Sequence, residues 1–201
     1  MKQEVASFLD YVAHSPTVFQ ATQQACDMLD AAGFTRLSEH EAWEILPGGR
    51  YYVTRNRSAL VAFAVPENGF THCQIVASHG DSPTFKLKAH AEGEAAGAYI
   101  RLDVEPYGGM IMSTWFDRPL SIAGRALVRE DGRLVTRLID LDRDAALIPN
   151  MPIHFNRDIN SGYSYNPQTD MLPLFGGKDA KGALAAEVAA KAGAKAEDVV
   201  A

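Results

Sequence analysis

A chain of 201 residues, 47% hydrophobic and 22% charged, has the composition of one large or two small globular domains. Its net charge of −6 argues against a nucleic-acid surface, and no apolar run approaches the roughly 18–20 residues of a membrane span. The start, Met1-Lys2-Gln3-Glu4-Val5, lacks the apolar centre of a signal peptide, and Cys26 and Cys73 stand at no motif spacing. Together these predict a cytoplasmic protein with buried thiols and no zinc-finger pattern, so that any metal falls to histidines and carboxylates.

Val5, Phe8, Leu9 and Val12 recur at helical spacing and predict an amphipathic helix over residues 4–13. Ser15-Pro16 then restarts the chain, with Ser15 as N-cap and Pro16 at the first helical position. The second helix should turn Val18, Ala21, Ala25, Met28 and Leu29 inward and stop at Gly33. Both stripes read as core packing, and His14 and His40 as surface residues. Gly48-Gly49 marks a turn, after which Tyr51–Thr54 and Ala59–Val65 read as strands joined by Arg55-Asn56-Arg57-Ser58. The second of these is nearly all apolar and is expected deep in its sheet. Phe70–Ala77 predicts a third, buried strand, and Phe85–Ala89 alternates like a half-exposed one.

Ala91-Glu92-Gly93-Glu94-Ala95-Ala96-Gly97 has the composition of a linker, which places a boundary near residue 92 between units 1–91 and 92–201. The second unit is β-rich: Tyr99–Val104, Ser121–Arg129 and Leu134–Leu141 read as strands, the last two joined at Glu130-Asp131-Gly132. Tyr107–Pro119 reads as a packed loop with an Asp117–Arg118 pair at its surface. His154 stands among apolar residues in Pro152-Ile153-His154-Phe155, which by itself suggests a satisfied structural histidine. Residues 160–168 are turn-rich, and Ala183–Lys191 predicts a helix that Gly193 ends.

The chemistry concentrates at Ser78-His79-Gly80-Asp81-Ser82-Pro83. Extended backbone points His79 and Asp81 to one side. Neutral imidazole is a good zinc ligand, and a carboxylate beside its other nitrogen fixes the tautomer and raises its basicity. A Ser82 nucleophile served by His79 is the weaker alternative, because residues so close in sequence rarely reach triad geometry. A nucleotide-binding reading lacks a glycine-rich strand–loop–helix fingerprint.

Four strings, Ser78-His79-Gly80-Asp81-Ser82-Pro83, Tyr107-Gly108-Gly109, Ser113-Thr114-Trp115-Phe116-Asp117-Arg118 and Ile153-His154-Phe155-Asn156-Arg157, together resemble the M18 family of metalloaminopeptidases. Ser15-Pro16 and Gly48-Gly49-Arg50-Tyr51-Tyr52-Val53-Thr54-Arg55-Asn56 fit the same family's N-terminal region. The resemblance implies an α/β zinc-peptidase catalytic domain, represented by its N-terminal half, with an inserted β-rich dimerisation domain. It implies His79 as a ligand in a two-zinc site, Asp81 as its orienting partner, and His154 as an active-site or metal-associated histidine reaching a neighbouring protomer. It also implies peptide substrates, N-terminal Asp or Glu among them, and a dimer-based dodecamer. The other metal ligands and the general base lie in a second catalytic half that 1–201 does not contain. Asp103, Glu105 and Asp117 match no ligand position. Arg118, Arg157 and Lys88 are candidate positive charges toward an acidic substrate. The expectation is therefore an incomplete zinc aminopeptidase, inactive alone, and its rival is a non-catalytic oligomerisation or interaction module.

Overall fold

The computed structural model describes residues 2–200. The polypeptide divides into two compact units, one running to Ser82 and the other starting at Pro83. No helix among the described residues is long and apolar enough to cross a membrane.

The first unit opens with helices α1 (Gln3–Ala13) and α2 (Val18–Ala31). The apolar face of α1 is not core: Val5, Phe8, Leu9 and Val12 are all exposed. Helix α2 starts two positions later than Ser15-Pro16 suggested, at Val18. Thr17 is its N-cap, with its hydroxyl accepting the Phe19 amide at 3.2 Å and donating to Gln20 Oε1. Thr17 and Gln20 stand at capping-box spacing, an alternative that outweighs Ser15, whose hydroxyl is buried without a partner. Gly33, at φ +78°, ends the helix: its amide reaches Asp30 O and the Phe34 amide reaches Leu29 O, both at 3.0 Å. The stripe is half-buried, Met28 is exposed, and Gln20, Thr22 and Cys26 are the buried positions.

Strands β1 (Thr35–Leu37), β2 (Arg50–Arg55) and β3 (Ala59–Ala64) form a sheet in that order, β1 parallel and β3 antiparallel to β2. The β2–β3 turn carries Asn56 and Arg57 at φ +53° and +54°, both central residues left-handed as the strands' twist favours. β3 is an edge strand and Val61 is exposed, contrary to the expected deep position. β2 holds the core instead. Tyr52 is fully buried, and its hydroxyl donates to Asp30 Oδ1 at 2.7 Å, tying the sheet to α2.

In the second unit, β4 (Thr84–Ala95) pairs with β5 (Tyr99–Tyr107) around a turn at Ala96 and Gly97, both left-handed. The supposed linker at 91–97 is thus strand and turn, and residue 92 lies inside a strand. The Ala/Gly/Glu composition misleads because the register slips between Leu87 and Glu92, and the residues beyond the slip serve a helix cap. After β6 (Pro119–Leu120), the strands β7 (Ala123–Glu130) and β8 (Arg133–Asp140) form the expected hairpin, with Asp131 and Gly132 left-handed. β9 (Ala146–Leu147), the short helix α3 (Pro167–Asp170), β10 (Leu174–Gly177) and helix α4 (Ala183–Ala192) complete the unit. The main sheet runs β4-β5-β10-β9-β6. Its core of Leu102, Val104 and Leu184 joins a second cluster, Ala126, Val128, Ile139, Leu141, Ala145 and Ala192, through Ile122, Phe175 and Val188, which touch both.

Helix α4 is capped from outside its own sequence. Glu92 accepts the Gly182 amide at 2.6 Å and the Leu184 amide at 3.0 Å, placing a carboxylate on the positive end of the helix. Beside it, Lys181 Nζ meets Glu94 Oε1 at 3.0 Å on the open surface. Glu92→Ala should therefore cost the second unit about 1–2 kcal/mol in urea unfolding, whereas Glu94→Ala should cost no more than about 0.5 kcal/mol. Equal losses would contradict the cap.

Burial and the hydrogen bond to Asp30 push the Tyr52 phenol up to about 12. The folded state holds this proton more tightly than the unfolded chain does. Its contribution is complete below about pH 10 and is lost as pH rises toward 12. Tyr52→Phe should lower stability at pH 7 by about 1–2 kcal/mol and flatten the decline between pH 10 and 12, read from urea unfolding across that range.

Candidate metal-binding site

His79 sits in the first unit, near the end of a segment that no strand pairs with among the described residues. The buried strand expected over Phe70–Ala77 is absent. Residues 72–83 carry no assigned helix, strand or turn, with Ile75 80% and Val76 92% exposed. Strand propensity alone does not make a strand; a neighbouring backbone must accept the ladder, and an apolar run needs cover on both faces.

The local geometry nevertheless brings His79 and Asp81 together. The His79 side chain is 84% exposed, its Nδ1 2.9 Å from the Asp81 backbone carbonyl and 3.4 Å from Asp81 Oδ1. A carbonyl oxygen only accepts, so the neutral ring must carry its proton on Nδ1 to make that bond. Nε2 is left with its lone pair. The engaged nitrogen faces Asp81 rather than Ser82.

His154 belongs to the second unit. It is exposed within a turn, flanked by the exposed side chains of Ile153 and Phe155, so the structural histidine packed among apolar neighbours is not what forms. Asp117 makes no surface pair with Arg118. Its Oδ1 accepts the Asn150 amide at 2.9 Å, and the Arg118 guanidinium donates to the Thr114 carbonyl at 3.4 Å. Reading adjacent opposite charges as a pair overlooked a stronger signal: Asp is among the few residues at ease in a left-handed position, and Asp117 has φ +56°. Lys88, Arg118 and Arg157 are all exposed.

As a donor set, one imidazole of fixed tautomer beside a carboxylate fits one corner of a zinc site. No three His, Cys, Asp or Glu side chains converge on a common point among the described residues.

Residues 11–200 match the family model described as Aminopeptidase I zinc metalloprotease (M18). The chain is 43% identical over 186 residues to a probable M18 family aminopeptidase 2 of Clostridium acetobutylicum, covering 88% of this chain and 42% of that protein. It is 44% identical over 177 residues to aspartyl aminopeptidase 1 of Schizosaccharomyces pombe, covering 84% of this chain and 37% of the relative. Among solved structures, the cryo-EM structure of the Ape4 and Nbr1 complex superposes with a TM-score of 0.90 at 35% identity, over 98% of this chain and 42% of that one. The S. cerevisiae mApe1 dodecamer superposes with a TM-score of 0.79 at 25% identity, over 98% of this chain and 46% of its own. The chain thus spans about two fifths of the length of the curated relatives it matches. With a mixed α/β fold that follows these structures and a family model matched along nearly its whole length, the chain belongs to the M18 family of aminopeptidases.

Proposed function

We propose that this chain forms the opening part of a zinc aminopeptidase that removes N-terminal Asp or Glu residues from peptides. The observation that carries the reading is the His79 ring, held through Nδ1 with Nε2 unencumbered. Asp81 acts twice. Its carbonyl oxygen fixes the Nδ1–H tautomer, and its carboxylate favours the positive charge that grows on the ring when Nε2 binds a cation. When bound, zinc supplies Lewis acidity toward the scissile carbonyl and lowers the pKa of water. His79 would hold one corner of a two-metal site, with the remaining ligands and the general base in the part of the M18 length that this chain does not span.

His154 is assigned to the site of a neighbouring copy in a dimer-based dodecamer, with the dimerisation surface in the β-rich unit. The dodecameric relative from S. cerevisiae supports the assembly, and the name of the S. pombe relative supports the acidic preference. Cys26 is buried but Cys73 is exposed, against the expectation of two buried thiols; both are free, as a reducing cytoplasm would keep them. The rival reading, a non-catalytic interaction module, draws on the exposed apolar side chains of Phe70, Ile75, Val76 and Val61.

Complete four-ligand zinc sites bind with about 10–16 kcal/mol, so a single corner holds about 3–4 kcal/mol, a Kd on the order of millimolar. Calorimetric titration of the purified chain should give weak zinc binding that His79→Ala abolishes and Asp81→Ala weakens several-fold. Aspartyl and glutamyl arylamides should not turn over. Tight stoichiometric zinc with chelator-sensitive turnover would contradict the single-corner assignment. A stable oligomer whose His79 ignores zinc would favour the interaction module.

A further inference from the structure

The proposed chemistry leaves unexplained how an exposed turn holds His154 in place. Its neighbours Met151, Ile153 and Phe155 are themselves exposed, so core packing does not fix them. We propose that Phe116 and Asp117 are the positioning pair of the His154 lobe, one dipeptide that staples both ends of residues 150–165. The functional weight of this pair rests on the reading of His154 given above; the geometry does not.

On the entering side, Phe116 forms a bridge with Ile148, which is fully buried. The Asp117 amide donates to Ile148 O at 2.9 Å, and Asp117 Oδ1 accepts the Asn150 amide at 2.9 Å. The order then passes outward. Asn150 Oδ1 accepts the Met151 amide at 2.9 Å, and the Pro152 ring restricts the next φ. Pro152 O accepts the amides of Phe155 at 2.9 Å and Asn156 at 3.2 Å, closing a turn with His154 inside it. One run of hydrogen bonds thus reaches from the buried Ile148 to Met151, and a second closes the turn from Pro152 to Asn156 that follows it directly in sequence.

On the leaving side, the Phe116 ring meets Tyr165 with centroids 5.1 Å apart, and Tyr165 meets Tyr163 edge-on at 5.3 Å. The Tyr163 hydroxyl donates to Asp170 Oδ2 at 2.9 Å, and the Asn166 amide reaches the same oxygen at 2.8 Å, anchoring this arm on α3. Asp tolerates the left-handed region better than most residues with a Cβ, and Asp117 keeps that conformation with its carboxylate engaged on the Asn150 amide.

Two variants separate backbone from side chain. Asp117→Gly allows the left-handed conformation while removing the acceptor; Asp117→Asn keeps both an acceptor oxygen and tolerance of the conformation. Amide exchange and histidine side-chain spectra, measured by NMR on the 201-residue chain, need neither zinc nor turnover. In the glycine variant, exchange at Asn150, Phe155 and Asn156 should quicken about tenfold or more, and the His154 ring signals should move toward those of a freely rotating side chain. The amides of Ile100 and Leu102 should be unaffected, and the asparagine variant should stay within about twofold of the parent throughout. Unchanged exchange over 150–156 in the glycine variant would overturn the proposal. So would acceleration spread equally to Ile100 and Leu102, which would make Asp117 a residue of the general fold. Loss of the catalytic reading of His154 would leave these outcomes as they stand.

Discussion

A β-prone run cannot bury itself, and that constraint governs the segment that leads to His79. Ile75 and Val76 each leave about 1.5–3 kcal/mol of burial unrealised while they face water. No strand pairs with the backbone around them among the described residues. The His79–Asp81 pair forms regardless, because its two residues are separated by one glycine and its contact depends on local geometry alone. The His79–Asp81 contact is therefore local, whereas a strand leading into it depends on neighbours.

The second unit shows the opposite economy. Two apolar clusters share Ile122, Phe175 and Val188, a helix seals them, and a carboxylate from the neighbouring hairpin caps that helix. Rigidity built there extends into an exposed lobe through hydrogen bonds and aromatic contacts rather than through burial. The turn that bears His154 is closed by backbone hydrogen bonds while the residue itself is exposed.

Features governed by neighbours in sequence were legible before any coordinates. The hairpins at 55–58 and 130–132, the helix stop at Gly33, and the alanine-rich helix ending at Gly193 all rest on left-handed residues or short-range periodicity. The approach of Asp81 to His79 follows from the same locality. What escaped depends on partners distant in sequence. Glu92 looked like part of a linker because its helix lies some ninety residues on. Val61 and Val5 looked like core because apolar spacing says that a face wants cover, not that cover is present. Asp117 looked like half of an ion pair with Arg118 because the Asn150 amide it serves is thirty-three positions away. Family resemblance, carried by strings spread along the whole chain, identified relatives that local physics could not.

The tautomer of His79 tests the central claim most directly. Long-range proton–nitrogen NMR correlation on the neutral imidazole distinguishes which ring nitrogen bears the proton. His79 should carry its proton on Nδ1, with added zinc perturbing Nε2 and with Asp81→Ala weakening the preference. A ring protonated at Nε2, or one whose Nε2 does not respond to zinc, would contradict it.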